Sequence, residues 1–134
     1  MLDSQVMLEY LSIMFNDAKI LNLADVSEIS AGYPLRTSVD GLEPGDAHLV
    51  QLRDVTPEAG VKWSGVKQVT LPSKKQPVWL RSSDVIFSAR GTRNLAYALE
   101  GLPAQTVCAP QFFVIRPNDP NLDPTFLALS LIHI

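Results

Sequence analysis

Cysteine and histidine are scarce in this sequence. It holds one cysteine, Cys108, and two histidines, His48 and His133. A single cysteine excludes an internal disulfide and is typical of a reducing compartment. Together these three residues do not make a recognisable zinc-binding pattern, so no metal site is expected. The fold must therefore depend on its apolar core rather than on covalent or metal crosslinks.

Catalytic motifs are also missing. No GxGxxG, HExxH or GxSxG occurs, and GVKWSGVK lacks the Gly-Lys-Ser/Thr that a phosphate-binding loop needs. Cys108 lies in an apolar, strand-like segment, where a small buried thiol is a better interpretation than a nucleophile with His48 as its base. Acids such as Asp25, Glu28 and Asp54 are best explained as solvent-facing strand and turn residues. We therefore predict a protein that is not an enzyme by itself and that needs no cofactor.

Long hydrophobic runs are lacking as well. The apolar stretch FLALSLIHI is too short to span a bilayer, and MLDSQVMLEY carries acids where a secretory signal carries bases. A cytoplasmic protein without a membrane partner is the expectation. At 134 residues, 46% of them hydrophobic, the chain can bury the core of one domain, so residues 1–134 are predicted to form a single unit.

Charge is unevenly distributed along the chain. The net charge is −3, but residues 1–58 hold ten acids and three bases, whereas residues 59–93 hold seven bases and one acid. The commoner explanation of such a basic block is a solvated face. The alternative is an anion-binding site on an otherwise acidic protein, as in nucleic-acid recognition.

Periodicity predicts an α+β fold. Apolar residues at three- and four-residue spacings predict a helix over about residues 3–18. About five or six strands follow, among them ADVSEIS, HLVQLRDV, VKQVTL and QFFVIR, with the stretch from residue 31 to residue 46 as a loop or a helical turn. Asp123 as N-cap and Pro124 at the first helical position predict a second helix. Because strands and helices are segregated, we expect a mixed, mostly antiparallel twisted sheet with an N-terminal helix and the start of a C-terminal helix.

The segment SARGTRNLAY predicts a β-hairpin. With Gly91-Thr92 as a two-residue turn, Val85 faces Ala98 and Ser88 faces Leu95, and both faces of the hairpin are apolar enough to be buried. This favours a central hairpin over an edge one. Arg90 would then face Arg93, which destabilises the pair unless something offsets the repulsion. The two guanidiniums either extend into water or pair with Asp84 or Glu100, or they hold an anion such as phosphate between them.

Five stretches resemble a known family. ADVSEISAGYPLR, LVQLRDV, SSDVIFSARGTRNLAY, QFFVIRP and LDPTFLALSL have the order and spacing of a target-recognition domain from the specificity subunit of type I restriction-modification systems. The resemblance covers about residues 23–131. The sequence departs from the family at Ser83, where Gly is usual, and it stops where a long helix is expected to begin, as if the spacer helix were cut short after about residues 123–134.

The resemblance implies a non-catalytic, sequence-specific DNA-binding protein. Its implied partners are double-stranded DNA, an adenine-N6 methyltransferase subunit and a nuclease/translocase subunit, and homodimerisation of the full-length protein is a further expectation. Because base contacts in the family vary with the target, the candidate DNA-binding residues come from the charge pattern and the hairpin instead: Lys62, Lys67, Lys74, Lys75, Arg81, Arg90, Thr92, Arg93 and Asn94. Trp63, Tyr33 and Arg36 are weaker candidates, with core packing the alternative for Tyr33.

A second function class remains open from the residues alone. In a protein-interaction or dimerisation module without a DNA role, exposed apolar positions of the two terminal helices would pair with a partner, and the basic block would serve solubility. Those positions are Met7, Met14, Phe126, Leu129 and Leu131. The observation that separates the two functions is whether the lysines and arginines between residues 62 and 93 form one patch remote from the helices.

Overall fold

The computed structural model describes residues 27–36, 38–56, 59–72, 77–89, 94–120 and 122–132. The helix predicted over residues 3–18 lies outside these residues. The described part contains nine strands and one α-helix, which confirms the α+β class. The elements are β1 (Ser27–Ala31), β2 (Pro44–Val50), β3 (Val55–Thr56), β4 (Gly60–Val61), β5 (Lys67–Val69), β6 (Val85–Ser88), β7 (Leu95–Ala98), β8 (Thr106–Cys108), β9 (Phe113–Pro117) and α1 (Pro124–Ile132).

The strands are divided among three sheets rather than joined in one. A four-stranded antiparallel sheet has the order β1-β9-β6-β7, a three-stranded sheet has the order β5-β2-β8, and β3 pairs with β4. Of the strand pairs in the described part of the chain, only β2–β8 is parallel, so the prediction of a mixed, mostly antiparallel arrangement is confirmed. The strand number exceeds the predicted five or six because several strands are only two or three residues long.

The β6–β7 hairpin has the predicted register. Val85 pairs with Ala98, Ile86 with Tyr97, and Ser88 with Leu95. One face packs with α1 in a first core cluster and the other packs in a second, so both faces are covered as expected. The hairpin is nevertheless not central, because β6 is internal but β7 is the last strand of its sheet within the described residues.

The segment HLVQLRDV does not form one strand. β2 ends at Val50, and Leu52–Asp54 form a 3-10 turn before β3 begins. The Asp54 carboxylate accepts a hydrogen bond from the Gln51 backbone N–H at 2.8 Å, and Asp54 N–H donates to the Gln51 carbonyl at 2.9 Å. Asp54 is also buried, so its prediction as a solvent-facing acid is wrong.

Helix α1 begins as predicted. The Asp123 carboxylate accepts a hydrogen bond from Thr125 N–H at 2.8 Å, and Pro124 is the first helical residue. The helix packs on β7 and β6. Leu131 is fully buried there, which contradicts its prediction as an exposed docking position, whereas Phe126 and Leu129 are 68% and 52% exposed.

Candidate nucleic-acid interface

The structure describes four of the nine predicted DNA-binding residues. These four are Lys62, Lys67, Arg81 and Asn94. The other five, Lys74, Lys75, Arg90, Thr92 and Arg93, lie outside the described residues, as does the pairing of Arg90 with Arg93.

Lys67 is already paired within the protein. Its ammonium group donates to the carboxylate of Asp40, and the two form an ion pair on the surface. The hydrogen bond from Lys67, reinforced by its charge, lowers the pKa of Asp40 below its usual value. A phosphate would have to compete with this carboxylate, so Lys67 is the weakest of the described basic candidates.

Lys62 and Arg81 are both exposed. Neither side chain has an ion-pair partner in the described part of the chain. Arg81 follows Leu80, whose N–H donates to the Thr106 carbonyl at 2.8 Å on the outer side of β8. Lys67 lies on β5, at one edge of the three-stranded sheet, whereas Arg81 follows the segment bonded to β8 at the other edge. These two basic residues therefore come from opposite edges of that sheet.

Asn94 has a structural contact that was not predicted. The residue is half-buried, and its amide Nδ2 donates to the Leu131 carbonyl at 3.4 Å. This bond satisfies a carbonyl in the last turn of α1, where helix carbonyls lack intrahelical partners. Asn94 therefore ties the hairpin to α1, a role that explains its presence without a base contact.

The three weaker candidates for DNA contact differ in how far they are buried. Tyr33 is 8% exposed and belongs to a buried cluster with Leu49 and Val107, as its core-packing interpretation predicts. Trp63 is half-buried against the second core cluster. Arg36 is exposed, as a DNA contact must be.

Sequence reasoning missed Arg53, a further exposed cation. Its segment was interpreted as a strand, in which Arg53 was one of the alternating positions. In the structure Arg53 lies in the 3-10 turn, and no described carboxylate forms an ion pair with it. The local signal for this turn is Asp54, three residues after Gln51, where a carboxylate can accept a hydrogen bond from the N–H of the residue that begins the turn.

Arg53 borders a cleft of about 350 Å³, hereafter the Gln51 cleft. The described residues that line it are Leu35, Ser38, Val39, residues 51–53 and residues 109–111. Gln51 is one of the lining residues, and its amide nitrogen Nε2 is buried without a hydrogen-bond partner among the described residues. Gln111, on the turn between β8 and β9, contributes a second amide.

A second cleft, of about 240 Å³, lies between β1, β9, β8 and residues 77–80. It is largely apolar, and Arg116 is the one charged residue among the described residues that line it. The Arg116 guanidinium donates from Nε and Nη2 to the two Asp84 oxygens, each at 2.8 Å, and from Nη2 to the Trp79 carbonyl at 3.0 Å. The hydrogen bonds from Arg116 to Asp84 raise the pKa of Arg116. They also engage Asp84, one of the two acids expected to pair with the hairpin arginines.

Cys108 is a buried thiol, as the sequence predicts. It is 1% exposed, and burial raises the pKa of its thiol to about 12. Because the thiolate is the nucleophilic form, Cys108 is inert near neutral pH. Within the described ranges, no group of three or more His, Cys, Asp or Glu residues could hold a metal ion.

Comparison with other proteins adds no assignment. Neither the protein-family models nor the curated proteins searched match the chain. No helix among the described residues is long and apolar enough to cross a membrane.

Proposed function

We propose that this protein is a non-catalytic DNA target-recognition domain, and that it gives sequence specificity to a type I restriction-modification methyltransferase and endonuclease. It would bind double-stranded DNA in the cytoplasm. The methyl transfer and the cleavage would be carried out by separate subunits, an adenine-N6 methyltransferase and a nuclease/translocase.

The observation that carries the proposal is how the family-like stretches assemble. ADVSEIS supplies β1, QFFVIRP supplies β9 and SSDVIFSARGTRNLAY supplies β6 and β7, and these are consecutive strands of one sheet. LDPTFLALSL supplies α1, which packs on the same sheet. Four of the five family-like stretches, though far apart in the chain, thus form one framework, which supports their being parts of one domain.

Ser83 adds a local argument. The family usually has Gly at this position, and Ser83 has a φ of 79°, in the left-handed region that favours glycine. The Asp84 N–H donates to the Arg81 carbonyl at 3.1 Å, so Ser83 occupies the third position of a tight turn, where Gly is preferred when φ is positive. The departure from the family is therefore a residue change within a backbone that suits the family residue.

The test is binding of the full chain to duplex DNA with a randomised central region, followed by sequencing of the bound fraction. The proposal predicts enrichment of a short sequence and weaker binding as salt rises. If about five lysine and arginine side chains contact phosphates, the logarithm of the binding constant should fall against the logarithm of the salt concentration with a slope of about −4.5. Binding that does not change with salt, or a bound pool without any preferred sequence, would contradict the proposal.

Variants that each lack one positive charge test which side chains contact phosphates. Arg90→Ala and Arg93→Ala should each make the salt slope shallower by about 0.9 if each arginine meets one phosphate. Lys67→Ala is the matched control, because Asp40 already neutralises Lys67. Hairpin variants that bind at low salt as tightly as the parent would remove the hairpin tip from the DNA interface.

One observation favours a second candidate, a protein-interaction module. Phe126 and Leu129 lie one helical turn apart on α1 and are both exposed, although most large apolar side chains here are buried. The double variant Phe126→Ser, Leu129→Ser should abolish any self-association seen by sedimentation if this face pairs copies of the chain. A parent that is monomeric at high concentration would contradict pairing between copies.

A further inference from the structure

Four of the described residues that line the Gln51 cleft have side chains that can donate hydrogen bonds: Ser38, Gln51, Arg53 and Gln111. Gln51 Nε2 carries two N–H donors and has no acceptor among the described residues. A buried donor without an acceptor costs free energy, so an acceptor brought into the cleft by a ligand would be favoured. Ser38 adds a hydroxyl that does not cap the 3-10 turn it precedes.

The charge of the cleft has one sign. Among the described residues that line it, Arg53 is the only charged one, so none of these residues brings a carboxylate that would repel an anion. Two described acids near Arg53 in the chain or in space, Asp54 and Asp40, are engaged elsewhere. Asp54 accepts from the Gln51 backbone, and Asp40, which lies near enough to feel the charge of Arg53, pairs with Lys67.

The apolar cleft beside β8 offers an internal comparison. It also contains an arginine, but both carboxylate oxygens of Asp84 bind that guanidinium. It therefore presents no net charge and few free donors. Of the two clefts, only the Gln51 cleft combines an unpaired cation with unused donors.

We propose that the Gln51 cleft binds a phosphate group through Arg53, Gln51 and Gln111. Arginine, glutamine and serine are among the side chains that contact phosphates in protein–DNA complexes. A volume of about 350 Å³ admits a phosphodiester with part of its sugar. On the proposed function, the ligand is one phosphodiester of the DNA backbone, and the cleft positions the duplex without reading its bases.

Two variants on the rim test this role. Arg53→Ala should make the salt slope of DNA binding shallower by about 0.9. Gln111→Ala should weaken binding to every duplex about tenfold, because it removes a hydrogen bond to a charged group and leaves the charge count unchanged. The matched controls are Lys67→Ala, a charge already neutralised, and Gln68→Ala, an exposed amide on β5 outside the cleft.

A direct readout accompanies the binding curves. The side-chain amide NMR signals of Gln51 and Gln111 should shift on titration with inorganic phosphate and with duplex DNA, and the shifts should disappear in Arg53→Ala. Gln51 is observed rather than replaced, because its backbone takes part in the turn with Asp54.

The outcomes separate this inference from the proposed function. If the parent binds DNA but both rim variants bind like their controls, the phosphate site is wrong and the DNA-recognition proposal stands. If the parent does not bind DNA yet the amide signals shift with inorganic phosphate, the cleft is a phosphate site and only its assignment to DNA is wrong. Amide signals that shift with neither probe would overturn the phosphate site.

Discussion

Replacement of Arg116 by methionine should destabilise the protein strongly. Arg116 connects β9 to the turn before β6 through two hydrogen bonds to Asp84 and one to the Trp79 carbonyl. Asp84 is 1% exposed, and besides Arg116 its carboxylate receives the Arg81 backbone N–H at 2.8 Å. Methionine keeps much of the apolar stem of arginine but leaves a buried carboxylate without its cation.

The expected loss follows from that unpaired charge. Removal of one partner from a buried ion pair typically costs about 3–5 kcal/mol. In a chain of this length a loss of that size lowers the melting temperature by about 10 °C or more. Addition of Asp84→Asn to Arg116→Met should recover at least about 1 kcal/mol, because the remaining side chain is then neutral.

Urea unfolding followed by circular dichroism measures these differences. Arg81→Met is the control, since the Arg81 side chain is exposed and its backbone N–H is retained; its effect should stay within about 0.5 kcal/mol. An Arg116→Met variant as stable as the Arg81→Met control would refute the assignment of a stabilising buried ion pair.

Three further predictions concern single sites. Cys108 should resist alkylation at pH 8 in the native protein and react on unfolding. Because the pKa of its thiol is about 12 in the folded protein and near 9 in the unfolded chain, the free energy of unfolding should fall between pH 9 and 12, by up to about 1.4 kcal/mol per pH unit. The Cys108→Ala variant should lack this contribution to the slope. Ser83→Gly should raise the free energy of unfolding by about 1 kcal/mol, because φ is positive at this residue. Ser82→Gly, in the same turn, is the control and should not raise it. Equal effects of the two variants in thermal melts would contradict a strained turn at Ser83. Leu131→Ala should cost about 2–5 kcal/mol and Phe126→Ala less than about 0.5 kcal/mol in urea unfolding, and a reversal of that order would show that α1 presents its other face.

Local signals predicted the hairpin and the start of α1. In the hairpin, counting outward from the predicted turn at Gly91-Thr92 pairs Val85 with Ala98, and the observed register agrees. At α1, Asp123 and Pro124 act on the backbone within one turn. Both features depend on residues that are neighbours in the chain, and such features can be deduced from sequence.

Features that join distant segments could not be deduced in this way. The parallel pairing of β2 with β8 and the bond between Arg116 and Asp84 connect residues far apart in the chain, and no local period encodes them. The same limit applied to the candidate site. Arg53 was not predicted as a site residue, because the alternating pattern of Leu52–Asp54 fits a strand and a 3-10 turn equally well. The burial of Asp54 distinguishes the two.

The most direct test of the central claim is methylation-site sequencing. The full chain would be co-expressed with candidate adenine-N6 methyltransferase subunits, and genomic methylation compared with and without it. DNA-recognition activity predicts a new methylated sequence that appears only when the chain is present. An unchanged methylation pattern in a strain that contains both soluble proteins would contradict the account.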